Sequence, residues 1–327
     1  MAVMTYLEAI RETLRQEMRR DERIIVYGED VGVRGGVFRV TEGLQAEFGE
    51  GRVIDSPLAE AAIIGTAIGA AVNGLRPVPE IQFSDFIFPA INQIVQEAAR
   101  IRYRSNGTFG VPMVIRAPFG GGVHGALYHS QSVEAFFAHV PGLKVVIPAT
   151  PYDAKGLLAA AIQDEDPVLY FEHKAAYRSL KGEVPDERYV IPLGKADLKR
   201  PGQHVSIITY GLMVSYAMKA AEALDKDGIS VEILDLRSIR PLDVEAILET
   251  AKKTGKVLVV HEDNLTGGIG GEVSALIAEH ALFYLDAPIV RLAGPDVPAM
   301  PYSPPLEHAF MVTPEKIAEA AQKLAKF

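Results

Sequence analysis

The sequence predicts an α/β protein with largely parallel sheets, organised as two domains. Three observations carry that reading. Short apolar runs alternate with helical periodicities through residues 1–185, the pattern thins into charges, glycines and prolines from residue 174 onward, and a second alternation fills residues 204–327. Residues 186–203 are therefore read as a linker. A chain of 327 residues is long enough for two ordinary cores. Thr5 and Glu8 have the spacing of a capping box, and Leu7, Ile10, Leu14 and Met18 then recur on one helical face. Residues 23–27, 52–55, 78–83, 112–117, 143–148 and 168–171 read as strands. Helices are expected after Pro57, Pro89, Ser132 and Pro151, since proline suits a first helical turn. In the second domain, strands are expected at 205–209, 231–236, 257–261 and 289–292, with helices after Met213, Leu242, Gly271 and Pro314.

Composition excludes more than it identifies. The formal net charge is -9, with Lys and Arg dispersed among acids, which argues against a nucleic-acid surface. Apolar stretches are broken by charge or proline before they reach bilayer-spanning length, so no membrane segment is expected. The first residues lead into an amphipathic helix carrying Glu8, Glu12 and Glu17, unlike a secretory signal or an acid-poor transit peptide. There is no cysteine, hence no disulfide, thiolate metal site or thiol catalysis, and a reducing cytoplasm is the natural compartment.

Chemistry concentrates in two places. Gly120-Gly121-Gly122-Val123-His124-Gly125-Ala126-Leu127-Tyr128-His129-Ser130-Gln131-Ser132 puts two histidines on a glycine-rich loop directly after an apolar strand, where backbone can turn sharply and a ligand can come close. Loop histidines also serve simply to hydrogen-bond their loop in place. The second place is Asp55-Ser56-Pro57-Leu58-Ala59-Glu60, where Glu60 opens a helix. A carboxylate there is satisfied by free amide groups, but Ala59, Ala61, Ala62, Ile63 and Ile64 surround it. Were that helix buried all round, desolvation would favour the protonated acid. The glycine-rich pieces at 32–36 and 266–271 lack dinucleotide spacing and read as turns, and no phosphate-binding lysine loop is present.

Together with Gly28-Glu29-Asp30-Val31-Gly32, Glu80-Ile81-Gln82-Phe83-Ser84-Asp85-Phe86, Arg102-Tyr103-Arg104-Ser105, Thr150-Pro151-Tyr152-Asp153-Ala154-Lys155-Gly156 and Leu234-Asp235-Leu236-Arg237, these segments resemble the beta subunits of thiamine-dependent 2-oxo acid dehydrogenases along essentially the whole chain. The resemblance implies a transketolase-like fold, with a pyrimidine-binding domain followed by a transketolase C-terminal-type domain. It implies thiamine diphosphate as cofactor, with Glu60 exchanging a proton with the aminopyrimidine and Leu58, Gln82 and Phe86 beside it. His129 is implied to manage protons during acyl transfer to lipoyl groups, while His124, Tyr128 and Gln131 line the same loop. Gln131, where pyruvate enzymes more often carry aspartate, tilts the substrate toward branched-chain 2-oxo acids; a pyruvate enzyme is the close variant.

No Gly-Asp-Gly motif for a magnesium diphosphate is present. The resemblance assigns that half of the site to a separate alpha subunit in an alpha2-beta2 heterotetramer, so this chain alone is expected to be inactive. It also implies a structural potassium ion near Asp164 and Asp166, although acids at a helix end equally make a solvated exit. Asp286 and the terminal carboxylate of Phe327 are the expected contacts to the acyltransferase core. Two other readings stand beside these, a complete single-chain transketolase-like enzyme and a noncatalytic docking scaffold.

Overall fold

The chain enters through a strand the sequence reading does not anticipate, β1 (Ala2–Thr5), whose last residue caps α1 (Tyr6–Arg20). The Thr5 hydroxyl accepts the Glu8 amide at 3.2 Å and the Glu8 carboxylate accepts the Thr5 amide at 2.7 Å, so the capping box forms as expected. In this computed structural model, which describes residues 1–327, two units are distinguished: Met1–Phe119 with Phe136–Leu193, and Gly120–Ala135 with Gly194–Phe327.

In the first unit, β2 (Ile24–Gly28), α2 (Leu44–Phe48), β3 (Val53–Asp55), α3 (Glu60–Val72), β4 (Arg76–Glu80), α4 (Ile101–Arg104) and β5 (Val114–Phe119) precede the glycine loop. Helix α5 (Glu134–Ala138) leaves that loop, and β6 (Lys144–Val146), α6 (Pro151–Gln163), β7 (Val168–His173), α7 (Ala176–Ser179) and β8 (Lys181–Val184) complete the unit. Its main sheet is parallel in the order β6-β7-β5-β4-β2-β3, while β1 and β8 form a small antiparallel pair. Every residue of β5 and β7 is buried, as expected for parallel strands covered on both faces. Leu7, Ile10, Leu14 and Met18 of α1 are buried, and α1 packs on α6.

The second unit contains β9 (Asp197–Arg200), β10 (Val205–Thr209), α8 (Leu212–Asp225), β11 (Val231–Asp235), β12 (Ser238–Arg240), α9 (Val244–Thr254), β13 (Val257–Asn264), α10 (Ile269–Ala281), β14 (Val290–Gly294), α11 (Pro304–Phe310) and α12 (Pro314–Ala325). Its five-stranded sheet runs β14-β13-β10-β11-β9, parallel except for the β9 edge. No helix is long and apolar enough to cross a membrane.

Three local expectations are corrected. The run at 78–83 stops as a strand at Glu80, because Ile81 makes a last backbone bond to Arg116 and the chain turns into a 3-10 segment at Ser84–Phe86. The helix expected after Pro89 is a π-helical stretch at Gln93–Ala98 followed by short α4. The segment read as a linker contains β9, which pairs antiparallel with β11; its short, charged Asp-Leu-Lys-Arg sequence is typical of an edge strand and hides its pairing.

Candidate functional site

Topology locates a crevice before any side chain is considered. In the first unit the chain steps outward from β2 to β3, then crosses back to β4 and continues the other way to β5, so the order reverses between β2 and β4. Ligands of open parallel sheets bind outside the carboxyl ends of the strands at such a reversal. Gly28, the last residue of β2, lies opposite Asp55 of β3 and Glu80 of β4. Glu29 follows the end of β2, Leu58 and Glu60 follow β3, and Gln82 and Phe86 follow β4. One edge thus gathers the four residues expected to meet the cofactor.

Glu60 is the first residue of α3, where its charge is favoured by the helix N-terminus. The premise of a helix buried all round is not met within this chain. Helix α3 buries Ile63, Ile64, Ala67, Ile68 and Ala71 against β4 and the segments after Ile87, but Ala62, Thr66 and Gly69 are exposed and Glu60 itself is half-buried. Leu58 is 70% exposed. Phe86 is half-buried and meets Phe83 edge-on at 5.8 Å, and Gln82 is half-buried beside them in sequence. Glu29 is a member of the site that the sequence reading leaves without a role. Burial raises its carboxyl above the usual range, and the charges of Asp30 and Glu60 add to the shift. Its signal lay in the Gly28–Gly32 motif, at a strand end. The crevice therefore holds two mutually repelling acids beside apolar and aromatic surface.

Beneath this edge lies a buried ionic network. Arg116 of β5, fully buried, donates two bonds to Glu172 at 2.6 and 2.7 Å and one to Glu80 at 2.6 Å. Tyr177 donates to Glu172 at 2.6 Å. Burial opposes the Arg116 charge, but the two carboxylates more than offset it and hold the guanidinium above its usual range. Burial raises the Glu80 carboxyl, against the pull of Arg116. Satisfied networks of this kind fix a core's geometry, and this one ties the ends of β4 and β7 to β5.

The histidine loop, assigned by sequence order to the first domain, clusters with the second unit. Two buried carboxylates of that unit hold its backbone. Glu262 accepts the Gly121 amide at 2.6 Å. Glu307 accepts the amides of Gly122 and His124, each at 3.1 Å, and its other oxygen lies 2.5 Å from His124 Nδ1. Gly120, Gly122, His124 and Ala126 have left-handed φ of 84°, 77°, 56° and 55°. Close approach requires one glycine, since a Cβ on Gly125 would lie 2.6 Å from the carbonyl oxygen of His129, while one on Gly121 would displace the flexible end of Met300. His129 is half-buried, Tyr128 is 62% exposed, and Gln131 donates to the Leu127 carbonyl at 3.3 Å.

Where the loop ends, Glu134 is buried and accepts from Tyr210 at 2.9 Å, and burial next to Asp263 raises its carboxyl far above the usual range. Burial lifts Asp263 to about 6 and lowers nearby His261 to about 4. Sequence reasoning missed Glu262, Glu307 and this acidic group, since only the fold brings residues 121–134 to residues 262 and 307.

The potassium expectation gains no support from the end of α6. Lys144 lies within hydrogen-bond distance of both Asp164 oxygens, at 2.7 and 2.5 Å, Arg102 pairs with Asp166 and Arg76 with Glu165. Arg76 also takes the carbonyls of Ile162 and Asp164, and Arg102 that of Glu165, so the hard oxygens already face cations of the chain. No group of three or more His, Asp or Glu side chains is arranged to hold a metal ion. Asp286 is exposed after an apolar turn in which Phe283 projects fully into solvent, and Phe327 is exposed at a groove whose apolar floor of Val290, Leu292, Ala320 and Leu324 is flanked by Lys316, Glu319 and Lys323.

Residues 2–179 match the transketolase pyrimidine binding domain, and residues 194–317 match the transketolase C-terminal domain. Over the full length of both chains, the sequence is 63% identical to the 2-oxoisovalerate dehydrogenase subunit beta of Bacillus subtilis and 51% identical to the pyruvate dehydrogenase E1 component subunit beta of the same organism. A pyruvate dehydrogenase E1 beta subunit of Staphylococcus aureus is 50% identical, again over both full lengths. Among solved structures, a split-gene transketolase described as an inactive beta4 tetramer aligns with a TM-score of 0.82 at 23% identity over 99% of each chain, a likeness of fold.

Proposed function

We propose a function from one premise: the chain belongs to the transketolase-like family of thiamine-dependent 2-oxo acid dehydrogenase beta subunits. Its substrates are branched-chain 2-oxo acids, and its reaction is their oxidative decarboxylation with transfer of the acyl group to lipoyl groups. The observation that carries the substrate is the identity of 63% to a 2-oxoisovalerate subunit against 51% to a pyruvate subunit from one organism. Gln131 in the histidine loop supports the same choice.

The residues at the strand reversal fit thiamine diphosphate. A half-buried acid suits a ring nitrogen, and Phe86 and Leu58 suit the faces of a heteroaromatic ring. When bound, the cofactor supplies the electron sink that lets carbon dioxide leave. Glu60 would hold and exchange the proton at the pyrimidine nitrogen, with Gln82 and Phe86 orienting the ring. His129 would move a proton near the reacting carbonyl carbon during acyl transfer, a task imidazoles commonly perform. His124 and Tyr128 would border the substrate entrance. An alpha subunit would hold the diphosphate and its magnesium ion, so an alpha2-beta2 assembly is the active form. A structural potassium ion near Asp164 and Asp166 would have to share their oxygens with Lys144, Arg76 and Arg102, which already bond part of that set. The cysteine-free composition supports a cytoplasmic location.

The test is His129→Ala in the assembled enzyme. General acid–base groups contribute roughly 10²- to 10⁴-fold, and a loss of that order is expected in lipoyl acylation while cofactor binding is retained. Normal lipoyl-dependent flux would remove His129 from the mechanism.

The second unit would dock the acyltransferase core at Asp286 and the terminal carboxylate of Phe327. Rim charges of this kind chiefly speed encounter and sharpen partner choice. Asp286→Lys, or removal of Phe327, is expected to weaken binding of the acyltransferase's subunit-binding domain and flatten its salt dependence. Binding indifferent to salt and to both changes would move the docking site elsewhere.

A further inference from the structure

We infer that Glu307 is a positioning residue for acyl transfer, a buried carboxylate that clamps the histidine loop in the conformation that presents His129. The inference rests on the reading of His129 given above. Its basis is geometric. Glu307 is 3% exposed and spends both oxygens on the loop, one on two turn amides two residues apart, Gly122 and His124, and the other on the His124 ring. It lies 183 residues from His124 in sequence, so the clamp exists only in the folded second unit.

The loop needs an external clamp because its own backbone does not favour this shape. His124 and Ala126 are side-chain-bearing residues in the left-handed region, a strained conformation that persists only where the surroundings hold it. His124 and Ala126 are also the two residues flanking Gly125, and Gly125 is packed directly against His129. A carboxylate that accepts the amide and ring of His124 therefore fixes the turn on which the His129 backbone rests. Glu262, through the Gly121 amide, secures the loop one residue before this point. Amide-to-carboxylate bonds are charge-assisted and roughly twice as strong as neutral ones, which suits a short loop with few apolar anchors.

Chemistry makes the clamp selective. Glutamine keeps the acceptor oxygen for the two amides and brings an N–H to the His124 ring, whereas aspartate falls one methylene short and alanine removes every contact. The clamp is therefore expected to tolerate Glu307→Gln and to fail in Glu307→Asp and Glu307→Ala.

The experiment uses the assembled enzyme and three readouts. Hydrogen exchange is measured at Gly122 and His124 and, as an internal control, along β13. Decarboxylation is measured with an artificial dye as electron acceptor, and acyl transfer is measured with a lipoyl domain. For Glu307→Ala, exchange at Gly122 and His124 is expected to accelerate at least tenfold with β13 unchanged. Lipoyl acylation is expected to fall at least tenfold further than dye-linked decarboxylation, and Glu307→Gln to restore both exchange and acylation to within about threefold of the parent. Unchanged exchange at the two amides overturns the clamp. Equal losses in both activities, or loss of β13 protection, overturn the positioning role and leave Glu307 as a general stabiliser. Accelerated exchange with unaffected acylation, by contrast, overturns the link to His129, and a parent enzyme without lipoyl acylation overturns the function itself.

Discussion

Glu60→Gln is expected to leave the beta chain folded and assembled and to reduce turnover by about 10²- to 10⁴-fold, the range general acid–base groups supply. The amide keeps the size of the side chain at the start of α3 but cannot exchange a proton with a ring nitrogen. Stability should change little, because Glu60 is half-buried and belongs to no ion pair of the chain. The loss should appear in turnover at saturating cofactor, with thiamine diphosphate affinity measured separately by titration. A variant that keeps near-parental turnover would show that the proton is handled elsewhere, with Glu29 the next acid to test.

The largest effect on stability is expected at Arg116. Arg116→Met leaves Glu80 and Glu172 buried without their cation, and breaking a buried pair in this way costs about 3–5 kcal/mol. For a unit of this size that corresponds to a fall in Tm of roughly 10 °C or more. Combining Arg116→Met with Glu80→Gln and Glu172→Gln should recover much of the loss, since the penalty lies in the stranded charges rather than in the missing bonds. Thermal unfolding of the parent, the single variant and the triple variant checks both statements. A single substitution costing less than about 1 kcal/mol would mean the carboxylates take up protons at no real expense, and the network would not be the rigid floor of the crevice.

The contrast between these residues shows what was legible in the sequence. Short apolar runs and helical periodicities mark the central strands of both sheets, and the Thr5–Glu8 spacing marks the first helix start, because those signals are local. Glu60 was legible for the same reason, as an acid at a helix start with unusual apolar neighbours. Its burial was not, since an all-apolar helix such as α3 states how much surface can be buried and not which chain buries it. Arg116 reads as an anomaly inside an apolar strand, yet its partners at 80 and 172 come together only when β4 and β7 flank β5. Edge strands β1 and β9 escaped because short polar or charged segments pair without displaying a pattern. Glu262 and Glu307 had no sequence signal at all: each is an ordinary acid until the fold of the second unit brings the histidine loop to it. Asp164 and Asp166 belong to an acidic run whose partners Lys144, Arg102 and Arg76 come from distant segments and leave no local signal.

The central claim is that this chain is the beta half of a branched-chain 2-oxo acid dehydrogenase component. The most direct measurement is thiamine-dependent decarboxylation by the purified chain, alone and reconstituted with a candidate alpha subunit, with 2-oxoisovalerate and pyruvate supplied in parallel. The account predicts no turnover by the chain alone, turnover on reconstitution, and a higher kcat/KM for 2-oxoisovalerate than for pyruvate. Turnover by the chain alone, or a reconstituted enzyme that prefers pyruvate, would contradict it.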